Sequence, residues 1–68
     1  MPGRVNAYLL IDKELDDMKL QGSREFYYDE LQEDLSDIVS GALSRKGLRF
    51  VLRTLELKWI AQRRSEKA

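Results

Sequence analysis

Residues 47–64, GLRFVLRTLELKWIAQRR, carry two separate sets of apolar side chains. When the stretch is placed on a helix at about 100° per residue, one set falls within about 100° of arc. This main face consists of Leu48, Val51, Leu52, Leu55 and Trp59. The other set repeats at spacings of four, three and four residues on the opposite side. This second ridge consists of Phe50, Thr54, Leu57 and Ala61.

A strand is the alternative interpretation of the same stretch, because its apolar residues also alternate locally. Leu48, Phe50 and Leu52 alternate with other residues, and a second alternation follows after Thr54. The alternation slips by one residue at positions 53 and 54, so a single strand could not bury both sets on one face. The helix accommodates more of the apolar residues, and we predict a helix.

The sequence leaves open what the second ridge contacts, because a helix with two apolar faces needs two sets of neighbours. Both faces could be covered within one compact monomer, or the second ridge could contact another molecule. A chain of 68 residues without cysteine buries only about 60% of its unfolded surface and has no disulfide to support its core. Self-association commonly compensates for so small a core, and we therefore expect a homodimer.

Length and composition predict one small helical domain, residues 1–68, with residues 1–4 and 65–68 frayed. The longest apolar run covers residues 7–11, which is too short for a membrane span or the core of a signal peptide. The sequence therefore predicts a cytoplasmic protein that does not bind membranes.

The formal net charge is zero, but the two signs are segregated along the chain. Residues 12–37 include ten acidic and three basic residues, for a net charge of −7, whereas residues 44–68 have a net charge of +6. Such asymmetry indicates either a charged partner or two halves of one chain that fold against each other. The second explanation is the more common one.

A first helix is predicted after Asn6, whose side chain could cap its first turn. An apolar stripe follows at spacings of three and four residues: Tyr8, Ile11, Leu15 and Met18. The segment AYLLI could instead form a short strand. Gly22 is well placed to end the helix in a left-handed conformation, and Ser23 to cap the next one.

The second predicted helix, residues 24–43, has the most regular apolar pattern in the chain. Its apolar stripe is Tyr28, Leu31, Leu35, Ile38 and Ala42, and its opposite face carries the acidic set Asp29, Glu30, Glu33, Asp34 and Asp37. These carboxylates could bind a hard cation, but they lack the spacing of a calcium loop and are more typical of a solvated helix face. Ser44 can cap the third helix, and so short a connection predicts antiparallel neighbours.

Histidine and cysteine are both absent from the sequence. Their absence removes the commonest general base, the soft metal ligands and the usual nucleophile pairs. The four glycines are scattered and form no phosphate-binding loop. We therefore predict no catalytic residues, no cofactor and no metal site.

Basic residues form a column at i, i+4 and i+8 on the third helix: Arg45, Arg49 and Arg53. A helix that tracks phosphates would show this spacing. The zero net charge and the acidic second helix argue against it, and the aromatic residues needed for base stacking lie mostly among acidic residues. We favour arginines that pair with the acidic helix or are solvated, and keep a small nucleic-acid-binding dimer as the alternative function.

The expected fold is all-α, either three helices or a helical hairpin with a shorter N-terminal helix, in a dimer. The expected function is non-enzymatic protein binding, as a small regulator, adaptor or inhibitor of the phage type. The contact surface would be the second ridge, through Phe50, Leu57 and Ala61, or the acidic set of the second helix. Through that acidic set an inhibitor could imitate the charge of a phosphate backbone. The partner would be another protein, a second copy, or both.

Overall fold

The computed structural model describes residues 2–67, with side chains described for residues 5–63. Four α-helices follow one another within these residues: α1 (Pro2–Met18), α2 (Arg24–Glu30), α3 (Leu35–Ser40) and α4 (Arg45–Lys67). A 3-10 turn at Gln32–Asp34 lies between α2 and α3. The described residues contain no strand, so the predicted all-α class is confirmed and both strand alternatives are wrong.

The first helix starts earlier than predicted. Because α1 begins at Pro2, Asn6 lies inside the helix and does not cap it. Proline is favoured in the first turn of a helix, where a missing backbone N–H costs nothing. Of the ends that we expected to be frayed, residues 2–4 belong to α1 and residues 65–67 to α4, while Met1 and Ala68 lie outside the described residues.

The end of α1 is made by Lys19 and not by Gly22. Lys19 has a φ of 53° and its backbone N–H donates to the carbonyl of Leu15 at 3.0 Å, as in a left-handed helix cap. Gly22 also has a positive φ, of 105°, but it lies in the loop after the helix. A Cβ there would meet the Tyr27 hydroxyl at 3.0 Å, so the close approach of this loop to Tyr27 requires glycine.

The predicted second helix is interrupted. Its two parts, α2 and α3, are separated at Leu31 (φ −98°, ψ 7°) and Asp34 (φ −101°, ψ −2°), and α3 ends at Ser40 because Gly41 has a φ of 85°. Leu31, Leu35 and Ile38 are nevertheless all buried. The apolar spacing continues across the interruption, and for this reason the sequence pattern did not reveal it.

The core is built from all four helices and the residue that follows α2. Its buried apolar members are Ala7, Ile11 and Leu15 of α1, Tyr27, Leu31, Leu35 and Ile38 from the middle of the chain, and Leu48 and Leu52 of α4. Tyr27 replaces the predicted Tyr28, which is only half-buried. The predicted stripe of α1 faces this core, since Tyr8 and Met18 pack against it. Val51 and Leu55 of the main face also pack against it, whereas Trp59 packs edge-on against Phe26 at 5.2 Å between ring centroids.

Two predicted serine caps are confirmed by hydrogen bonds. Ser23 Oγ accepts from the backbone N–H of Phe26 at 3.2 Å, and Ser44 Oγ accepts from that of Gly47 at 3.1 Å. These caps fix the starts of α2 and α4. With 23 residues, α4 is about 34 Å long and accounts for most of the molecule's long dimension of 41 Å.

Candidate interaction surface

The second ridge lies on the outer side of α4. Phe50 is 73% exposed and Leu57 is 66% exposed, the two highest values among the exposed large apolar side chains, and Thr54 and Ala61 are exposed between and beyond them. Seven residues on a helix separate Phe50 from Leu57 by about 10 Å along one side. Within the monomer, therefore, the second ridge is not part of the core.

The polar group on this ridge is already satisfied. The hydroxyl of Thr54 donates to the carbonyl oxygen of Phe50 at 3.0 Å, one turn earlier in the same helix. Burial of a hydroxyl is costly only when its hydrogen bond is lost. Because this bond stays within α4, the ridge can be covered by an apolar surface without leaving the hydroxyl unpaired.

Basic side chains border the second ridge on both sides. At 100° per residue, Lys46 and Arg53 lie beside it on one side and Lys58 on the other. Lys58 is held by Glu30 of α2, with 2.6 Å between Nζ and Oε1. Among the described side chains of α4, the one carboxylate is Glu56, which accepts from the backbone N–H of Gln21 at 2.8 Å.

Two arginines of the basic column are engaged by α1. Nε of Arg45 lies 3.1 Å from Glu14 Oε2, and Nε of Arg49 donates to Glu14 Oε1 at 2.5 Å. Each guanidinium also lies 3.7 Å from Asp17 Oδ2. Arg53 is exposed, and no ion pair to it occurs among the side chains of residues 5–63.

We expected these arginines to pair with the acidic second helix or to be solvated. The expected partner is wrong for Arg45 and Arg49, whereas Arg53 is exposed. The carboxylates come from α1, and the central one, Glu14, is only 5% exposed. Sequence reasoning missed Glu14, although a signal was present. It lies three residues after Ile11 and four before Met18, so it occupies an apolar position of the α1 stripe.

The acidic set is not one uniform face. Asp29, Glu33 and Asp37 are exposed, Asp34 is half-buried, and Glu30 is paired with a lysine of α4. The 3-10 turn advances by about 120° per residue instead of 100°, so the carboxylates of α2 and α3 do not continue a single helical row. The described residues contain no group of three or more acidic side chains arranged to hold a metal ion.

A second polar cluster joins α1 to α2. The guanidinium of Arg24 pairs with Asp16 and with Asp12, and its hydrogen bonds to Asp16 and then to Asp12 raise the Arg24 pKa well above its ordinary range. The Tyr28 hydroxyl also donates to Asp12. Burial, followed by that hydrogen bond, raises the pKa of Tyr28 above its ordinary value. The cluster links the two helices through ion pairs that are largely exposed.

A small cavity of about 270 Å³ lies between α1, the loop after α3 and the start of α4. Leu10, Glu14, Ile38 and Leu48 are among the residues that line it. Ligand pockets typically have about 300–1,000 Å³ and a few free polar groups. The Glu14 carboxylate is already bound by Arg45 and Arg49, and the other charged groups in the lining, Lys13 and Arg45, are exposed side chains.

Comparison with protein-family models, curated proteins and solved structures finds no match for this chain. Among the described residues, no helix combines the length and the apolar character needed to cross a membrane.

Proposed function

We propose that this chain is a non-enzymatic protein-binding module and that the second ridge of α4 is its contact surface. The observation that carries the proposal is the exposure of Phe50 and Leu57, at 73% and 66%, on one side of the longest helix. Soluble monomers tend to avoid contiguous apolar patches of this kind, and such patches commonly mark interaction sites.

The ridge has the features that a protein contact requires. A large aromatic side chain and a leucine can fill pockets on a partner, and such anchors carry most of the binding free energy in known interfaces. Thr54 between them brings no unsatisfied hydroxyl. The basic border of Lys46, Arg53 and Lys58 surrounds the apolar centre with polar groups, as the rim of an interface does.

A chain of this size with an exposed apolar surface suits a small regulator, adaptor or inhibitor that acts by occupying a partner's surface in the cytoplasm. The exposed carboxylates Asp29, Glu33 and Asp37 form a second candidate contact surface. It would bind a partner by imitating the charge of a phosphate backbone. Neither surface requires a bound cofactor or a reacting group.

The test compares two multiple variants with one control. Phe50→Glu with Leu57→Glu alters the ridge, Asp29→Asn with Glu33→Gln and Asp37→Asn alters the acidic surface, and Leu9→Glu alters an exposed leucine of α1 (60% exposed). Light scattering reports self-association, circular dichroism reports folding, and affinity capture from host lysate, with and without nuclease, reports other partners.

We expect the ridge variant to stay folded and helical but to lose self-association and captured proteins, while Leu9→Glu keeps both. If only the acidic variant loses the captured proteins, the contact surface lies on α2 and α3 and not on the second ridge. If the ridge variant unfolds at a concentration where the parent is monomeric, the ridge is core and the proposal fails.

A further inference from the structure

We infer that the second ridge binds a second copy of itself, with the two α4 helices antiparallel and Phe50 of one copy facing Ala61 of the other. This inference rests on the proposed function and names the occupant of the same surface. It is carried by the order of large and small side chains along the ridge and by the charges beside them.

The spacing of the ridge is that of a coiled-coil seam. Its residues follow one another at intervals of four, three and four, which are the intervals between d and a positions of a heptad repeat. Large side chains occupy the d positions, Phe50 and Leu57, and small ones occupy the a positions, Thr54 and Ala61. Gly47 continues the small series one heptad earlier.

Antiparallel pairing brings a large residue against a small one in every layer of this seam. In antiparallel coiled coils an a position packs beside a d position of the other helix, so Phe50 faces Ala61 of the second copy and Leu57 faces its Thr54. Layers that alternate large and small side chains fill the space evenly. Parallel pairing would place Phe50 against Phe50 and Ala61 against Ala61, which crowds one layer and leaves a gap in the other.

Beside the layers between Phe50 and Ala61, the charges favour the same direction. In a parallel pair the g position of one helix faces the e position that follows in the other, so Arg53 would face Lys58 of the second copy twice in each dimer. Like charges in such positions are destabilising. In the antiparallel register Arg53 lies near Ile60 of the second copy and Lys58 lies near its Val51, and this repulsion is removed.

A second copy is favoured over an unrelated helix because α4 itself supplies both members of every layer. The two helices are related by a two-fold axis that passes between positions 55 and 56. This axis pairs position 50 of one copy with position 61 of the other, and position 54 with position 57. The seam spans about two heptads, or about 20 Å, so the interface is smaller than a standard one. We expect a dissociation constant in the micromolar range or weaker.

The first experiment exchanges the large and small residues of one layer. Sedimentation equilibrium is measured on the full chain from micromolar to millimolar concentration for the parent, Phe50→Ala, Ala61→Phe and the double variant. We expect each single change to weaken the dimer by tenfold or more and the double variant to recover most of that loss. If the ridge bound an unrelated protein instead, the two changes would not compensate each other, and the double variant would bind no better than the single variants.

The second experiment measures direction. The chain has no native cysteine, so a spin label at Lys46→Cys, beside the seam, is the only label in each copy. The antiparallel register separates the two labels by about 28 Å along the axis, whereas a parallel pair brings them to within about 10 Å. Pulsed electron paramagnetic resonance distinguishes the two distances. The shorter distance would show that the helices are parallel and would contradict the antiparallel register.

If the parent chain stays monomeric and folded at millimolar concentration, the ridge does not bind a second copy and the inference is wrong. The proposed function then still stands if captured proteins are lost in Phe50→Glu with Leu57→Glu. If the chain stays monomeric and the captured proteins are unaffected by those changes, both proposals fail.

Discussion

The carboxylate of Glu14 in α1, 5% exposed, accepts a hydrogen bond from Nε of Arg49 in α4. This ion pair, whose carboxylate is buried and whose guanidinium is partly exposed, joins the first and last helices. Arg45 binds the other carboxylate oxygen at 3.1 Å, so both oxygens of the buried group are paired. Two of the three arginines that the sequence suggested for phosphate binding thus have an intramolecular role.

Removing one partner from this pair should cost more than removing the exposed Arg53 from the same column. Arg49→Met leaves the buried Glu14 with one guanidinium, and we expect a loss of about 1–3 kcal/mol in the free energy of unfolding. The matched control is Arg53→Met, for which we expect less than about 0.5 kcal/mol. Urea denaturation of the two variants measures the difference. Equal effects would contradict a structural role for the pair.

Nucleic-acid binding, the alternative function, should be weak for the same reason. A phosphate that approached Arg45 or Arg49 would compete with Glu14 and Asp17, which leaves Arg53 and Lys46 as exposed cations nearby. We expect only non-specific binding near physiological salt, and expect Arg53→Ala to reduce the salt slope by about one unit. Fluorescence anisotropy with short DNA and RNA duplexes measures both. Submicromolar, salt-sensitive binding would favour the alternative.

Stability should fall above pH 10 because of Tyr27. Its burial and the nearby charge of Glu56 raise the pKa of Tyr27 above the ordinary value of 10.0, so above pH 10 the unfolded chain releases a proton that the folded chain retains. Each such group lowers the free energy of unfolding by up to about 1.4 kcal/mol per pH unit. Tyr28 is raised in the same direction.

The measurement is urea denaturation between pH 8 and pH 11.5. Tyr27→Phe should be slightly less stable at pH 8, because the hydrogen bond to the Gln21 carbonyl is lost, but its stability should decline less steeply above pH 10. A profile as steep as that of the parent would show that Tyr27 does not contribute.

Apolar spacing was sufficient to predict the helical class, the α1 stripe and the main face of α4. It could not predict the interruption at Leu31, because the buried positions keep a helical spacing through the 3-10 turn. It also missed Glu14, since a charged residue at an apolar position is recognisable as a core residue only when its partner, here Arg49, is known to face it. Long-range pairs of this kind depend on how the helices pack, and local spacing carries no information about that.

The candidate surface was predictable in its residues but not in its exposure. The sequence defined the second ridge by spacing, yet the same spacing would suit a buried helix. The exposure of Phe50 follows from the size of the rest of the chain. The described α1, α2 and α3 together cover only one side of α4, where Leu48 and Leu52 are buried.

The sharpest comparison of the two faces uses two leucines of the same helix. Leu52 is fully buried and Leu57, five residues later, is 66% exposed. Both lie inside α4, so substitution by alanine changes helix propensity equally at the two positions. Any difference between the variants therefore reports packing.

At a concentration where the parent is monomeric, Leu52→Ala should cost about 2–5 kcal/mol, since it leaves a cavity among well-packed neighbours. Leu57→Ala should change the free energy of unfolding by less than about 0.5 kcal/mol. At concentrations where the parent is dimeric, Leu57→Ala should also become destabilising, because the dimer that it weakens stabilises the folded chain by mass action. Thermal unfolding followed by circular dichroism at two protein concentrations measures both effects. A large loss for Leu57→Ala at the lower concentration would mean that the second ridge packs within the monomer.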